Sequence, residues 1–122
     1  MGALTIILHG HRSPSQNTYY SAPHWSVRSR LARQIHDTVR RRLMAMGIEM
    51  GTTCNRLVDI EVIAYFDQRP LDSDNVCSKL YIDALRGWLL EDDSPRWVRR
   101  VTTESRVSMD PRVEITLIEA ST

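Results

Sequence analysis

The sequence predicts an α/β (α+β) fold: a small mixed β-sheet of about four strands flanked by two main helices. Three observations predict it. Apolar residues recur at helical spacing over 26–46, apolar and polar residues alternate over 57–66, and the elements run strand, helix, strand, helix, strand, strand. With 122 residues the chain has room for one core, so a single domain over 1–122 is expected.

The opening Leu4, Thr5, Ile6, Ile7 and Leu8 are strand formers and predict a first strand. Residues 13–17, Ser-Pro-Ser-Gln-Asn, predict a loop, because proline and small polar residues interrupt regular structure. The first helix is predicted over 26–46, with Val27, Leu31, Ile35, Val39, Leu43 and Met46 on one face and Gly47 as its stop. Over 57–66, Val58, Ile60, Val62, Ala64 and Phe66 face one way and Asp59 and Glu61 the other, the pattern of a half-buried strand. A second helix is predicted over 75–90. Two further strands are predicted over 97–107 and 112–119, joined through Met109, Asp110 and Pro111.

Composition narrows the function classes. Hydrophobic residues make up 42% and charged residues 25%, an ordinary soluble balance. No apolar run approaches the roughly 20 residues that span a bilayer, and the N-terminus lacks the features of a secretory signal, so no membrane contact and a cytoplasmic location are expected. Cys54 and Cys77 have no metal-ligand spacing and are expected as free thiols. His9, His11, His24 and His36 show no ligand spacing either and are expected mostly on the surface or in loops. Net charge is only +1, but the basic residues are all arginine except Lys79. Arginine suits bidentate phosphate contacts, although a GC-rich genome produces the same bias.

Chemistry concentrates in 67–93, which carries seven of the fifteen acidic residues. Asp72 and Asp74 are separated by one residue, and in extended backbone residues i and i+2 point the same way. Two converging carboxylates repel unless a proton or a cation lies between them. A hard dication with oxygen ligands, Mg²⁺ with Mn²⁺ as substitute, is the natural occupant, and it can orient a water nucleophile and polarise a phosphoryl group. The structural alternative for Asp-Ser-Asp-Asn is a helix N-terminus, where such residues cap free N–H groups. A calcium-binding loop fails because Val76 and Cys77 occupy its fifth and sixth positions. Asp92 and Asp93 alone are compatible with an exposed loop, and Lys79 with Asp83 can be a simple intrahelical ion pair.

The order of these pieces resembles the RusA family of Holliday junction resolvases. Its mark is Asp-x-Asp-Asn, a lysine, Asp-Ala-Leu and an Asp-Asp pair, here Asp72-Ser73-Asp74-Asn75, Lys79, Asp83-Ala84-Leu85 and Asp92-Asp93. The early Pro14-Ser15-Gln16-Asn17 loop with Tyr19 and Tyr20, the long helix and the closing strand are also similar to the family's pattern, so the resemblance spans the chain. It implies a phage- or prophage-type, Mg²⁺-dependent endonuclease of branched DNA, acting on four-way junctions as a homodimer. Asp72, Asp74 and Asp93 match the metal-binding catalytic aspartates, and Lys79 matches the essential lysine, expected at the scissile phosphate. Asp92, Asp83 and Asn75 match motif positions of secondary role, with Asp83 expected to orient Lys79. The departure is that three residues, Val76, Cys77 and Ser78, separate Asn75 from Lys79 where the best-known members have two. In a helix one residue turns a side chain by about 100°, so the extra residue is expected to be absorbed at the helix start.

Two expectations extend this reading. A helix of about 15 residues between Asp74 and Asp93 would span about 22 Å, which would carry Asp93 away from its own pair and toward a composite site shared between subunits. DNA contact is expected from Arg28, Arg30, Arg33, Arg40, Arg41 and Arg42 on the first helix and from Arg96, Arg99 and Arg100, with a solvated helix face as the alternative. A non-catalytic DNA-binding or regulatory module with the same fold is the competing function.

Overall fold

A computed structural model describes residues 2–21 and 24–120. The elements are β1 (Ala3–His9), α1 (Gln16–Tyr20), α2 (Trp25–Ala45), β2 (Val58–Phe66), a 3₁₀ turn (Ser73–Asn75), α3 (Ser78–Leu85), β3 (Val98–Val107) and β4 (Arg112–Glu119). The four strands form one mixed sheet in the order β1-β4-β2-β3. β4 runs antiparallel to β1 and to β2, whereas β3 runs parallel to β2 and forms one edge. The turn through Met109, Asp110 and Pro111 therefore joins strands that are not neighbours, since β2 lies between them. The fold is mixed α+β, as expected. Among the described residues no helix is long and apolar enough to cross a membrane.

One face of the sheet carries the core. Val58, Ile60, Val62, Ala64 and Phe66 on β2 are buried together with Ile6, Leu8, Val113, Ile115 and Leu117 on the flanking strands. Ile35, Val39 and Leu43 of α2 and Leu80, Tyr81, Ala84 and Leu85 of α3 close over that face. The four-residue spacing on α2 stacks its three core side chains on one stripe, while Val27 in the first turn stays exposed. Gly47 adopts φ +81°, a left-handed conformation that ends the helix at little steric cost.

Two local expectations are corrected. Residues 16–20 are a short helix rather than loop, because the Ser15 hydroxyl accepts the Thr18 N–H at 2.8 Å and caps it. The second helix covers only Ser78–Leu85 instead of 75–90. Its last carbonyl, Leu85 O, accepts the N–H groups of Trp88, Leu89 and Leu90 at 3.0, 2.9 and 3.1 Å. Gly87 at φ +79° then turns the chain, and Trp88, Leu89 and Leu90 are buried in a knot tied to the 51–54 loop through Gly51 N–Gly87 O and Cys54 N–Leu89 O, both 2.8 Å. Those apolar residues continue the helical rhythm in sequence but fill the core by another route. Both cysteines are free, Cys77 buried and Cys54 half-buried.

Candidate active site

The acidic motif is held against the sheet edge. On β3, Val101, Thr103, Ser105 and Val107 are in register with the buried residues of β2. The Thr103 hydroxyl donates to Ser73 O at 2.7 Å, and the Ser105 N–H donates to Ser73 Oγ at 3.0 Å. Ser73 thus fixes the 3₁₀ turn along an otherwise open edge, which also blocks that edge from pairing with another strand. On the other side the Asn75 side-chain oxygen accepts the Asn17 N–H at 3.0 Å, and Ser15 forms an antiparallel bridge with Val76. The Pro14–Asn17 segment and the acidic motif are therefore one unit.

This local geometry changes how the aspartates relate. Ser73–Asn75 is a 3₁₀ turn, so the extended alternation expected to aim Asp72 and Asp74 the same way does not apply. Asp72 occupies the N-cap position of the turn but makes no side-chain cap bond. Among the described residues, the side chains of Asp72, Asp74 and Asp93 make no hydrogen bond or ion pair, and all three residues are exposed. Side-chain capping thus does not account for Asp72, whereas Asp74 does lie in the first turn, where an acid suits the positive end of a helix.

Asp93 follows a shorter helix than expected. The shortened α3 spans about 12 Å, and the chain doubles back after Gly87. Asp93 returns to the first turns of α3, where it lines a cavity of about 220 Å³ with Ser78, Lys79, Ile82, Val98 and Val101. Asp93 thus meets Lys79 within one chain. The cavity reaches Val101, and Thr103, which holds the acidic turn, lies two residues further along β3, about 7 Å at strand rise. Among the described residues, no group of three or more His, Cys, Asp or Glu side chains gathers at metal-holding distance. The donor chemistry nonetheless suits a hard dication: three unpartnered carboxylates, of which magnesium sites commonly use one or two together with substrate phosphate.

Lys79 is the second residue of α3, and the non-helical Val76 and Cys77 precede the helix. The extra residue is absorbed there, which leaves the Lys79–Asp83 spacing intact. Lys79 Nζ lies 3.5 Å from Asp83 Oδ2. The charge of Asp83 holds the ammonium above the ordinary lysine range, against a smaller opposing effect of burial, and Asp93 and the Tyr20 phenol add to the rise. Lys79 is thus a fixed cation. Asp92 has a different role: its carboxylate accepts the Ser94 N–H at 2.7 Å, and its affinity for protons is lowered chiefly by the Ser94 hydroxyl and N–H. It shapes the turn that presents Asp93.

The arginines divide. On α2, Arg30, Arg33 and Arg41 are exposed, opposite the buried stripe, while Arg28, Arg40 and Arg42 are half-buried. Arg40 Nε donates to Ala84 O at 3.4 Å, and Arg99 forks onto Asp59 at 3.0 and 2.7 Å, so both are engaged within the chain. Arg96 lies over the Trp97 ring at 5.2 Å, and Arg100 is exposed.

Sequence reasoning missed several partners. His11 Nε2 and the fully buried Tyr81 hydroxyl are hydrogen-bonded at 2.8 Å, so His11 is no simple surface residue. Burial lowers its pKa and pushes the Tyr81 phenol far up. His36 lies on α2 with a buried Nε2. Thr103 and Ser105 left a legible signal: hydroxyls at β3 positions whose register calls for apolar side chains. Compared with known proteins, the chain matches no protein-family model and no curated protein.

Proposed function

We propose that the chain is a RusA-like, Mg²⁺-dependent endonuclease of branched DNA that works as a homodimer on four-way junctions. One observation carries the reading: the carboxylates of Asp72, Asp74 and Asp93 are exposed and have no side-chain partner among the described residues, the first two on the turn held at the β3 edge and the third lining a cavity with Lys79. Unpaired acids beside a lysine are poor devices for stability and good ones for binding a dication against phosphate. Asp72 and Asp74 would hold the ion, with Asp93 completing its oxygen donors. When bound, the ion supplies Lewis-acid polarisation of the scissile phosphoryl group. Lys79 contacts the phosphate and stabilises the charge that develops on it, and Asp83 limits where its ammonium can go. Arg30, Arg33, Arg41 and Arg100 are the exposed cations for phosphate contact, with Arg28 and Arg96 at their margins. A twofold dimer places two equivalent sites on the two equivalent strands of a junction.

Cleavage of a synthetic four-way junction in Mg²⁺ or Mn²⁺, wild type against Asp74→Asn, tests this. Paired nicks by the wild type and none by the variant are expected. Tight junction binding without any nick would establish the non-catalytic module instead.

A further inference from the structure

The α2–α3 interface contains two buried polar atoms that lack a partner among the described residues: His36 Nε2 on α2 and Asp83 Oδ1 on α3. An imidazole nitrogen and a carboxylate oxygen are natural complements, and burying either without a partner is unfavourable. The two helices pack against each other there. Arg40, one turn after His36 on the same flank of α2, donates its Nε to the carbonyl of Ala84, the residue following Asp83. The charges around the imidazole agree with this placement: burial and Arg40 lower the pKa of His36, while Asp83 on the facing helix and Asp37 on its own helix oppose them. Asp83 is already committed on its other side, because Oδ2 holds Lys79 at 3.5 Å. Around Lys79 itself stand Asp83, Asp93 and Tyr20.

We propose that His36 is a positioning residue, whose neutral imidazole donates Nε2–H to Asp83 Oδ1 and thereby fixes the carboxylate that aims Lys79. A carboxylate held at one oxygen has a defined second oxygen to offer. Without that anchor Asp83 can rotate, and the ammonium of a long, half-exposed lysine loses its direction. Sequence analysis assigned His36 no function. The structural part of the inference stands on the interface alone, and its consequence for cleavage rests on the nuclease reading above.

Two measurements on the full chain test it. The first is the tautomer of His36 near neutral pH, read by ¹⁵N–¹H long-range correlation NMR in the wild type and in Asp83→Asn. The Nε2–H form is expected in the wild type, with a mixture or a switch in Asp83→Asn. An Nδ1–H wild type, or a spectrum indifferent to Asp83, overturns the proposal. The second is junction cleavage by His36→Gln and His36→Leu, with thermal melts to establish folding. His36→Leu is expected to lose between about tenfold and 100-fold in kcat with KM nearly constant, as misplacement of a catalytic group does. His36→Gln, which keeps a donor, is expected to stay within a few-fold of wild type. A folded His36→Leu that cleaves at the wild-type rate overturns the positioning role, and if that variant does not fold, loss in a folded His36→Gln equal to that of Asp83→Asn does the same. A wild type that never cleaves refutes the nuclease reading, while the tautomer experiment still decides whether His36 and Asp83 are joined.

Discussion

Five acids around the sheet are paired with arginines, and the three aspartates of the motif are not. Asp59 is forked by Arg99, Glu114 is held by Arg112 at 2.7 Å, Glu104 pairs with Arg106, Glu119 with Arg56 at 2.5 Å and Asp67 with Arg12 at 2.6 Å. Arg112 also lies 3.8 Å over the Tyr65 ring, so cation, acid and aromatic form one packed group on the face turned away from the helices. Along the β3 edge, Asp72, Asp74 and Asp93 have no such partner among the described residues. The chain has fifteen arginines and could have neutralised these acids too. Matched charges make a surface stable and inert, whereas unmatched carboxylates keep a negative field available for an ion from solution.

The sharpest way to break this contrast is to remove charge on the unmatched side. Asp74→Asn should abolish junction cleavage by on the order of 10³-fold or more, as loss of a preorganised charge at a reacting phosphate does. It should leave thermal stability unchanged or slightly higher, since a repelling neighbour is gone. If melting drops sharply while cleavage persists, the acid is structural and the contrast fails. Lys79→Ala comes next, with a loss of about 100-fold in kcat. Its stability should fall by only a few tenths of a kcal/mol, the scale of an exposed i,i+4 pair. A third experiment mixes Asp72→Asn with Asp93→Asn subunits. Because Asp93 meets Lys79 inside one chain, the mixture should recover no activity. Recovery would show that the motif is completed across the dimer after all.

Much of the fold was legible because its signals were long and regular. The repeat through Ile35, Val39 and Leu43 reproduces α2 within a residue at either end, and the alternation from Val58 to Phe66 reproduces β2. The second helix was not legible beyond Leu85, because Trp88, Leu89 and Leu90 satisfy a helical pattern while a left-handed glycine sends them into the core by a turn. That one misreading overstated the length of helix between Asp74 and Asp93. The site's acids could be named from their spacing. Their supports could not, since Ser73 rests on Thr103 and Ser105, thirty or more residues away, and the helices of His36 and Asp83 come together only through tertiary packing. Order along a chain reveals which groups are unusual, and long-range register decides what holds them.

The smallest effect separates the two histidines of the interior from the ion pairs outside. His11 and His36 both have lowered pKa values, each first because of burial, so the folded chain favours their neutral forms below the ordinary value of 6.5. In the unfolded chain they take up protons as pH falls past 6.5, so there the unfolded state binds more protons and stability rises with pH. Their contribution is fully present above about pH 6.5 and is lost progressively as pH falls toward the depressed folded values. Asp59, held below the usual carboxylate range first by its hydrogen bond from Arg99, behaves the same way in a lower window, since its contribution is lost only as pH falls below 3.8. Melting temperature should therefore begin to decline between pH 7 and 5.5, before Asp59 titrates. His11→Gln and His36→Gln together should flatten that decline, whereas Asp59→Asn should leave it untouched and act only in stronger acid. If the double histidine variant keeps the wild-type slope, the early acid sensitivity comes from elsewhere and the imidazoles are not held neutral by the fold.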